Sequence, residues 1–223
     1  MSKLLSAMGD IVDHGAMPPP RAFLFDLDRT LVDLQSFTDY AAALRDLTAL
    51  VGDQPGATVP DADWDAPTVS TMAILVALSD DPRWHEASAA VSVHERAAIP
   101  QSQPMPGLGD AVEACAGRPY AVVTLLPSDV ARDVLDAHGF PVDVIIGRDP
   151  RIRAKPFGDG LVEAAERLGV PVTECVMIGD SSWDHAAAVD AGAGFIGVPV
   201  SATAFPSDVP VARHLVEAIE RAP

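Results

Sequence analysis

The sequence predicts a doubly wound α/β fold, a parallel sheet with helices on both faces, into which an all-helical segment is inserted. Short, wholly apolar runs alternate with helical segments, as expected for parallel strands that are buried on both faces. This alternation stops between residues 34 and 100, where three helix-like stretches follow one another without a buried strand. We therefore predict a core made of residues 21–33 and 101–223, interrupted by a helical domain.

The first twenty residues have a different pattern from the rest of the chain. Apolar residues from Leu4 to Val12 have helical spacing, and three prolines, Pro18–Pro20, end any helix there. We predict a short amphipathic arm over residues 1–20. We expect it to pack on the core or to fray in solution; the less favoured alternative is that it acts as a dimerisation arm.

The core is predicted from five apolar runs and from the glycines that end the segments between them. The first run is Phe23–Phe25, and the four later runs are Tyr120–Val123, Val144–Ile146, Val176–Ile178 and Phe195–Val198. Glycine is favoured directly after a helix because it adopts the left-handed conformation without strain. The predicted helix-ending glycines are Gly117, Gly139, Gly169 and Gly192.

The insertion between the first and second strands is predicted to be a helical domain over residues 34–100. Its predicted helices are Phe37–Val51, Thr68–Leu78 and Pro82–Ala98. The stretch 53–67, rich in Asp, Pro and Gly, is predicted to be a loop, and 101–109 a hinge back into the core.

Composition excludes several classes of protein. The 223 residues carry 15 Lys and Arg against 32 Asp and Glu, a formal net charge of -17 that disfavours binding to nucleic acid or to an anionic membrane surface. No apolar run reaches the roughly 18 residues of a membrane span. Because the two cysteines form no CxxC pair and the N-terminus lacks the pattern of a signal peptide, we expect a cytoplasmic protein.

Polar residues with related chemistry follow the predicted strands. They are Asp26 and Asp28 after the first run, Thr124 after the second, Lys155 between the third and fourth, and Asp180 and Asp184 after the fourth. The carboxyl ends of parallel strands meet at one edge of a sheet, so these side chains should converge. Crowded carboxylates repel one another and favour a bound divalent cation, and a set of oxygen ligands favours Mg²⁺.

These residues form four motifs that together resemble those of the haloacid dehalogenase (HAD) superfamily. Asp26-Leu27-Asp28-Arg29-Thr30 is similar to its DxDxT signature, and Gly179-Asp180-Ser181-Ser182-Trp183-Asp184 to its GDxxxD motif. Thr124 stands at the position of the phosphate-binding hydroxyl, and Lys155 at that of the family lysine. The resemblance implies a Rossmann-like core with a helical cap, like that of members related to phosphoglycolate phosphatase and β-phosphoglucomutase.

The resemblance also implies a role for each motif residue. Asp26 is expected to be the nucleophile that forms an aspartyl-phosphate, and Asp28 the general acid and base. Thr124 and Lys155 are expected to hold the phosphoryl oxygens. The expected Mg²⁺ ligands are the carboxylates of Asp26 and Asp180, the backbone carbonyl of Asp28, and Asp184 directly or through water.

The motifs depart from the family pattern at three places, of which Ala154, before Lys155 where glycine is frequent, is expected to matter little. Leu125 follows Thr124 where the family has a small polar residue, so one contact with the phosphate or the leaving group is expected to be missing. Arg29 replaces the commoner glycine, and we predict that it pairs with a surface carboxylate rather than adding charge to the cleft. Trp183 is expected to pack at the cap interface.

The predicted function is Mg²⁺-dependent hydrolysis of a small phosphorylated metabolite, by a monomer or a homodimer. A phosphomutase of the same family is one alternative, and a non-catalytic member that binds a phosphorylated ligand or a partner is another. The cap arginines Arg45, Arg83 and Arg96 are candidate contacts for an anionic leaving group, although arginines on a helix surface more often have no such role.

Overall fold

A computed structural model of the chain describes residues 20–201 and 204–222 and contains the predicted parallel sheet. Its five strands have the order β5-β4-β1-β6-β7, and every neighbouring pair is parallel. They are β1 (Ala22–Phe25), β4 (Tyr120–Val123), β5 (Val144–Ile146), β6 (Cys175–Gly179) and β7 (Gly194–Gly197). Two further short strands, β2 (Val32–Asp33) and β3 (Gln103–Pro104), form a separate antiparallel ribbon. The predicted strands are confirmed to within a residue or so at their ends.

Helices cover both faces of the sheet, as a doubly wound fold requires. The core helices are α4 (Leu108–Ala114), α5 (Ser128–Ala137), α6 (Asp159–Leu168), α7 (Ser182–Ala191) and α8 (Leu215–Arg221), with one 3-10 turn at Val172–Glu174. Alternate residues of β1 point to opposite faces. Phe23 and Phe25 pack with α4, α5 and α8 on one face, whereas Ala22 and Leu24 pack with α6 and α7 on the other.

The inserted segment forms three helices with an apolar core of their own. They are α1 (Tyr40–Val51), α2 (Ala66–Ala77) and α3 (Trp84–Ala98), flanked by 3-10 turns at Gln35–Phe37 and Ile99–Gln101. We call these three helices and the segments that join them the cap. The β2–β3 ribbon lies where the chain leaves the core and returns to it. The exact domain boundaries at residues 33 and 101 stay a prediction.

Two helices of the cap begin at residues other than those predicted, because aspartate side chains bind the free backbone N–H groups at their N-termini. Helix α1 begins at Tyr40 rather than Phe37, since the Asp39 side chain accepts a hydrogen bond from the backbone N–H of Ala42 at 2.8 Å. Helix α2 begins two residues before the predicted Thr68, because the Asp65 side chain caps it by accepting from the Thr68 N–H. The loop predicted over residues 53–67 therefore ends before Ala66.

The four predicted helix-ending glycines all adopt positive φ, between 67° and 77°. Both cysteines are free and buried, and burial raises the pKa of each thiol to about 11. No helix within the described residues is long and apolar enough to span a membrane. Residues 1–19 of the predicted arm lie outside the described residues.

Candidate active site

Four of the six predicted site residues meet in one cluster at the carboxyl ends of the central strands. Lys155 Nζ donates to Asp26 Oδ1 at 2.5 Å and to Asp184 Oδ1 at 2.6 Å. The carboxylates of Asp26, Asp180 and Asp184 offer oxygen atoms that all lie within 4.8 Å of one another. All four side chains are buried. Strand β1 lies between β4 and β6. Successive strands are added first on one side of β1 (β4, β5) and then on the other (β6, β7), and this switch in strand order opens a crevice at the carboxyl end of β1.

Asp28 lies at the rim of this cluster, fixed by the start of the cap. Its Oδ1 accepts hydrogen bonds from the backbone N–H groups of Leu34 and Gln35, each at 2.9 Å. Its other oxygen has no such contact within the described residues, and Asp28 lines the cavity beneath the cap. The segment that leads into the cap therefore positions this carboxyl group.

The position of Asp184 depends on a helix cap and on a glycine. Ser181 and Asp184 form a reciprocal capping box at the start of α7, in which Asp184 Oδ2 accepts from Ser181 N at 3.0 Å and from Ser181 Oγ at 2.6 Å. A Cβ atom at Gly179 would lie 2.5 Å from Cβ and Cγ of Asp184. Only glycine at this position allows the carboxylate to approach β6 so closely.

Burial makes the carboxylates hard to ionise in the absence of a cation. Burial raises the pKa of Asp26 to about 6, although Lys155 opposes the shift. Burial likewise raises the pKa of Asp28 to about 7, although hydrogen bonds from the backbone N–H groups of Gln35 and Leu34 act to lower it. Burial, together with Asp184 and Asp26, holds the pKa of Asp180 well above its usual range.

The charges of the cluster fit a divalent cation. Burial lowers the pKa of Lys155, but Asp184 and Asp26 outweigh this effect and keep its pKa above the usual range, so the lysine is charged. When Asp26, Asp28, Asp180 and Asp184 are all ionised, these carboxylates outnumber the two cations close to them, Lys155 and Arg29, by two. A set of carboxylate oxygens with this excess charge suits a hard cation such as Mg²⁺. The side chain of Asp28 is outside the group of three, and its predicted contribution is a backbone oxygen.

Thr124 lies at the end of β4, beside the cluster. Its N–H donates to Ile146 O at 2.9 Å, and its Oγ1 accepts from Leu126 N at 3.2 Å, which leaves the hydroxyl proton free for a ligand. The side chain of Leu125 packs against the apolar cluster of the cap. Leu125 therefore supplies an apolar contact with the cap where the family has a polar residue.

The prediction for Arg29 was wrong. This residue has a φ of 61°, and its Nε lies 3.7 Å from Oδ2 of Asp180, a buried carboxylate of the cluster rather than a surface one. Its Nη1 also donates to the backbone oxygen of Asp63 in the cap at 3.0 Å. The left-handed turn after β1 directs the guanidinium toward the site, a direction that sequence spacing does not reveal.

A loop of the cap docks directly on the GDxxxD segment. Trp183 is fully buried among cap residues, as predicted; its Nε1 donates to Pro60 O at 2.9 Å, and its ring lies 5.0 Å from that of Trp64. Ser182 Oγ donates to the backbone oxygen of Asp61 at 2.5 Å. These contacts close one side of the site.

A cavity whose empty space amounts to about 410 Å³, part of it open to solvent, lies between the cluster and the cap. Its core lining comprises Asp26, Asp28, Thr124, Leu125, Leu126, Lys155, Asp180, Ser181 and Asp184. Its lining from the cap side comprises Gln35, Tyr40, Trp64, Thr68 and Met72, which we call the cap lining. All six predicted site residues therefore line one cavity.

Sequence reasoning missed the cap lining and a buried ion pair between the cap and the core. Arg148, which follows β5, donates to both carboxylate oxygens of Glu95 on α3, at 2.7 and 2.9 Å, and to Leu125 O at 3.0 Å. Both charged side chains are buried. The pair links α3 to the loop that carries Thr124. Neither residue belongs to a motif, so only the tertiary structure identifies them.

Comparison with known proteins identifies relatives that match most of the chain, including both the core and the cap. A family model described as haloacid dehalogenase-like hydrolase matches residues 20–192. Phosphoglycolate phosphatase from Xylella fastidiosa (strain 9a5c) is 34% identical over 184 residues, covering 78% of this chain and 77% of the relative. Phosphoglycolate phosphatase from Vibrio vulnificus (strain YJ016) is 32% identical, covering 78% of this chain and 81% of the relative.

Solved structures share the fold at lower sequence identity. A hydrolase from Pseudomonas syringae is 21% identical with a TM-score of 0.69, covering 89% of this chain and 96% of the other. CbbY from Rhodobacter sphaeroides in complex with phosphate has the same identity and coverage, with a TM-score of 0.66. The family resemblance carried by the four motifs is confirmed, and the chain belongs to the haloacid dehalogenase-like hydrolases.

Proposed function

We propose that this protein is a Mg²⁺-dependent phosphatase that hydrolyses small phosphomonoesters through an aspartyl-phosphate on Asp26. The observation that carries the proposal is the buried cluster of three carboxylates and Lys155, which lines a cavity beneath the cap. Transfer of a phosphoryl group spreads negative charge over its oxygens, so the site must supply fixed positive charge. The relatives named phosphoglycolate phosphatase support phosphate ester hydrolysis as the reaction.

Asp26 and Asp28 divide the chemistry between them. A carboxylate oxygen of Asp26 attacks phosphorus, the bond from phosphorus to the ester oxygen breaks, and the leaving oxygen takes the proton of Asp28. The Asp28 carboxylate then accepts a proton from water, whose oxygen attacks the phosphorus and releases phosphate and free Asp26. A group with its pKa raised to about 7 is suited to donate and accept a proton near neutral pH.

The other residues bind and orient the phosphoryl group. Lys155 is a buried cation whose ammonium group faces Asp26, and the Thr124 hydroxyl lines the same cavity. Asp26 and Asp180, with Asp184 and the backbone of Asp28, would hold the Mg²⁺, which supplies positive charge to the phosphoryl oxygens when bound. The cap covers the site and excludes bulk water from it.

The test is hydrolysis of an aryl phosphate by the purified protein with Mg²⁺, with a chelator, and with the variant Asp26→Asn. The proposal predicts turnover that requires both Mg²⁺ and Asp26, and a phosphorylated protein that accumulates when an Asp28→Asn variant is given an activated aryl phosphate. Asp53→Asn, in the exposed part of the predicted loop, is the matched control and should leave turnover unchanged. Turnover that survives in Asp26→Asn would overturn the proposal.

A further inference from the structure

The cavity has two chemically different sides. The core side carries all the charged groups, namely the carboxylate cluster and Lys155. Every side chain of the cap lining is uncharged: an amide, two hydroxyls, a thioether and an indole. A phosphate ester bound with its phosphoryl group at Asp26 would place its leaving group against these uncharged side chains.

One hydroxyl of the cap lining is buried without a partner. Among the described residues, the buried hydroxyls of Thr30, Thr68 and Thr71 form no hydrogen bond, and Thr68, which is 2% exposed, is the one of the three that lines the cavity. Buried polar groups of native proteins nearly always have a hydrogen-bond partner, and an exception calls for an explanation. A hydroxyl group of a bound ligand would satisfy Thr68 at the point where it lines the cavity.

The nearby cations are engaged elsewhere. Arg83 binds Asp81 and Val51 O, Arg96 binds Asp129 and Asp133, Arg148 binds Glu95, and Arg29 lies beside Asp180. Burial raises the pKa of the Tyr40 phenol well above its usual range. Glu95 and Asp28 act in the same direction, and Arg148, which is paired with Glu95, opposes them. A carboxylate on the leaving group would therefore be buried without a counter-charge, which is costly.

We infer that this enzyme prefers phosphomonoesters of small, neutral, hydroxylated alcohols to phosphomonoesters whose leaving group carries a carboxylate. The inference rests on the proposed phosphatase function and adds its substrate class. It separates this chain from its relatives named phosphoglycolate phosphatase, whose name refers to a leaving group that carries a carboxylate. The lining by Trp64 and Met72 also favours a leaving group with one apolar face.

The experiment compares two substrates that differ in one group. Hydroxyethyl phosphate and phosphoglycolate have the same two-carbon skeleton, but the first ends in a hydroxymethyl group and the second in a carboxylate. We expect kcat/KM to be at least about tenfold higher for hydroxyethyl phosphate. Glycerol phosphate and phosphoglycerate form a second pair with the same contrast, and the same order is expected.

Variants of the cap helix α2 test the role of the unpartnered hydroxyl. Thr68→Val should lower kcat/KM for hydroxyethyl phosphate about three- to tenfold, while phosphoglycolate hydrolysis changes less than about twofold. Thr71→Val is the matched control, because Thr71 is on the same helix and is equally buried and unpartnered but does not line the cavity. It should change neither value. Gln35→Lys adds a cation to the cap lining and should shift the preference toward phosphoglycolate by about tenfold or more.

The outcomes separate this inference from the proposed function. If an aryl phosphate is hydrolysed with Mg²⁺ and Asp26 but phosphoglycolate exceeds hydroxyethyl phosphate, the substrate class is wrong and the phosphatase proposal stands. Equal effects of Thr68→Val and Thr71→Val would also overturn the inference. If no phosphate ester is hydrolysed by the folded protein, the proposed function fails and the inference fails with it.

Discussion

The buried ion pair between Arg148 and Glu95 leads to a quantitative prediction for the stability of the protein. Replacing Glu95 by Gln removes the charge but keeps the size of the side chain. The side-chain exposures are 3% for Arg148 and 0% for Glu95, so the unpaired guanidinium cannot reach water without opening the interface between the cap and the core. Removing one partner of a buried pair costs about 3–5 kcal/mol, because the other charge is left uncompensated.

The contacts of Arg148 place the expected cost within that range. The guanidinium also donates to Ser88 Oγ and O, to Ser92 Oγ and to Leu125 O, and these four neutral acceptors remain in Glu95→Gln. We therefore expect about 3 kcal/mol for Glu95→Gln, near the lower limit. Arg148→Met leaves the Glu95 carboxylate buried with no cation and should cost about 4–5 kcal/mol. Total stabilities are typically about 5–15 kcal/mol, so either loss is easily measured.

Urea denaturation of the two single variants and of the double variant Arg148→Met, Glu95→Leu provides the assay. The double variant leaves no unpaired charge, so it should cost clearly less than the sum of the single variants. Asp129→Asn is the control: its partner Arg96 also links α3 to the core, but the pair is exposed and should contribute less than about 1 kcal/mol. A cost below about 1 kcal/mol for Glu95→Gln, or full additivity in the double variant, would refute the reasoning.

Four other predictions concern the site and its contact with the cap. The unfolded chain loses the protons of Asp26 and Asp28 near pH 4, whereas the folded, metal-free protein keeps them to about pH 6 and 7. The folded state therefore binds more protons, and its free energy of unfolding should fall as the pH rises from about 4 to 7. Because Mg²⁺ displaces these protons, the rise in Tm that it causes should grow between about pH 5 and 8; an equal rise at both ends would contradict this. Gly179→Ala should displace Asp184 and lower kcat by about tenfold or more, whereas Gly109→Ala, where nothing lies within 4 Å of the added methyl group, should be harmless. Trp183→Phe removes the hydrogen bond to Pro60 O in the cap and should lower the free energy of unfolding in urea by about 1–2 kcal/mol. Trp64→Phe keeps that hydrogen bond and changes only the ring packing, so it should cost less.

The convergence of the site residues could be predicted because each of them directly follows a recognisable strand or belongs to a compact motif. Asp26 and Asp180 come one residue after β1 and β6, which are neighbours in the sheet. Knowing that parallel strands end at one edge is then sufficient to place the two carboxylates together. The helix-ending glycines could be predicted for a similar reason, since their conformation is a local property of the chain.

The cap lining could not be predicted in this way. Whether Thr68 or Thr71 faces the cavity depends on how α2 rotates against α1 and on how the cap rests on the core, and no local pattern fixes either. The pairing of Glu95 with Arg148 joins positions 53 residues apart on different units of the fold. The error for Arg29 has the same origin, because a single residue with positive φ decides whether its side chain points to solvent or to Asp180.

The distribution of charge in the molecule links the site to the proposed substrate class. The chain has a net charge of -17, so a phosphate ester approaches against an unfavourable field, and binding depends on local cations within the cleft. Lys155 and Arg29 lie close to the carboxylate cluster, and a bound divalent cation would add charge at the same end of the cavity. An ester with its only negative charge on the phosphoryl group gains from all three cations. A carboxylate at the other end of the ester would meet the uncharged side chains of Tyr40 and Thr68, with Asp28 nearby, and would gain from none of the three.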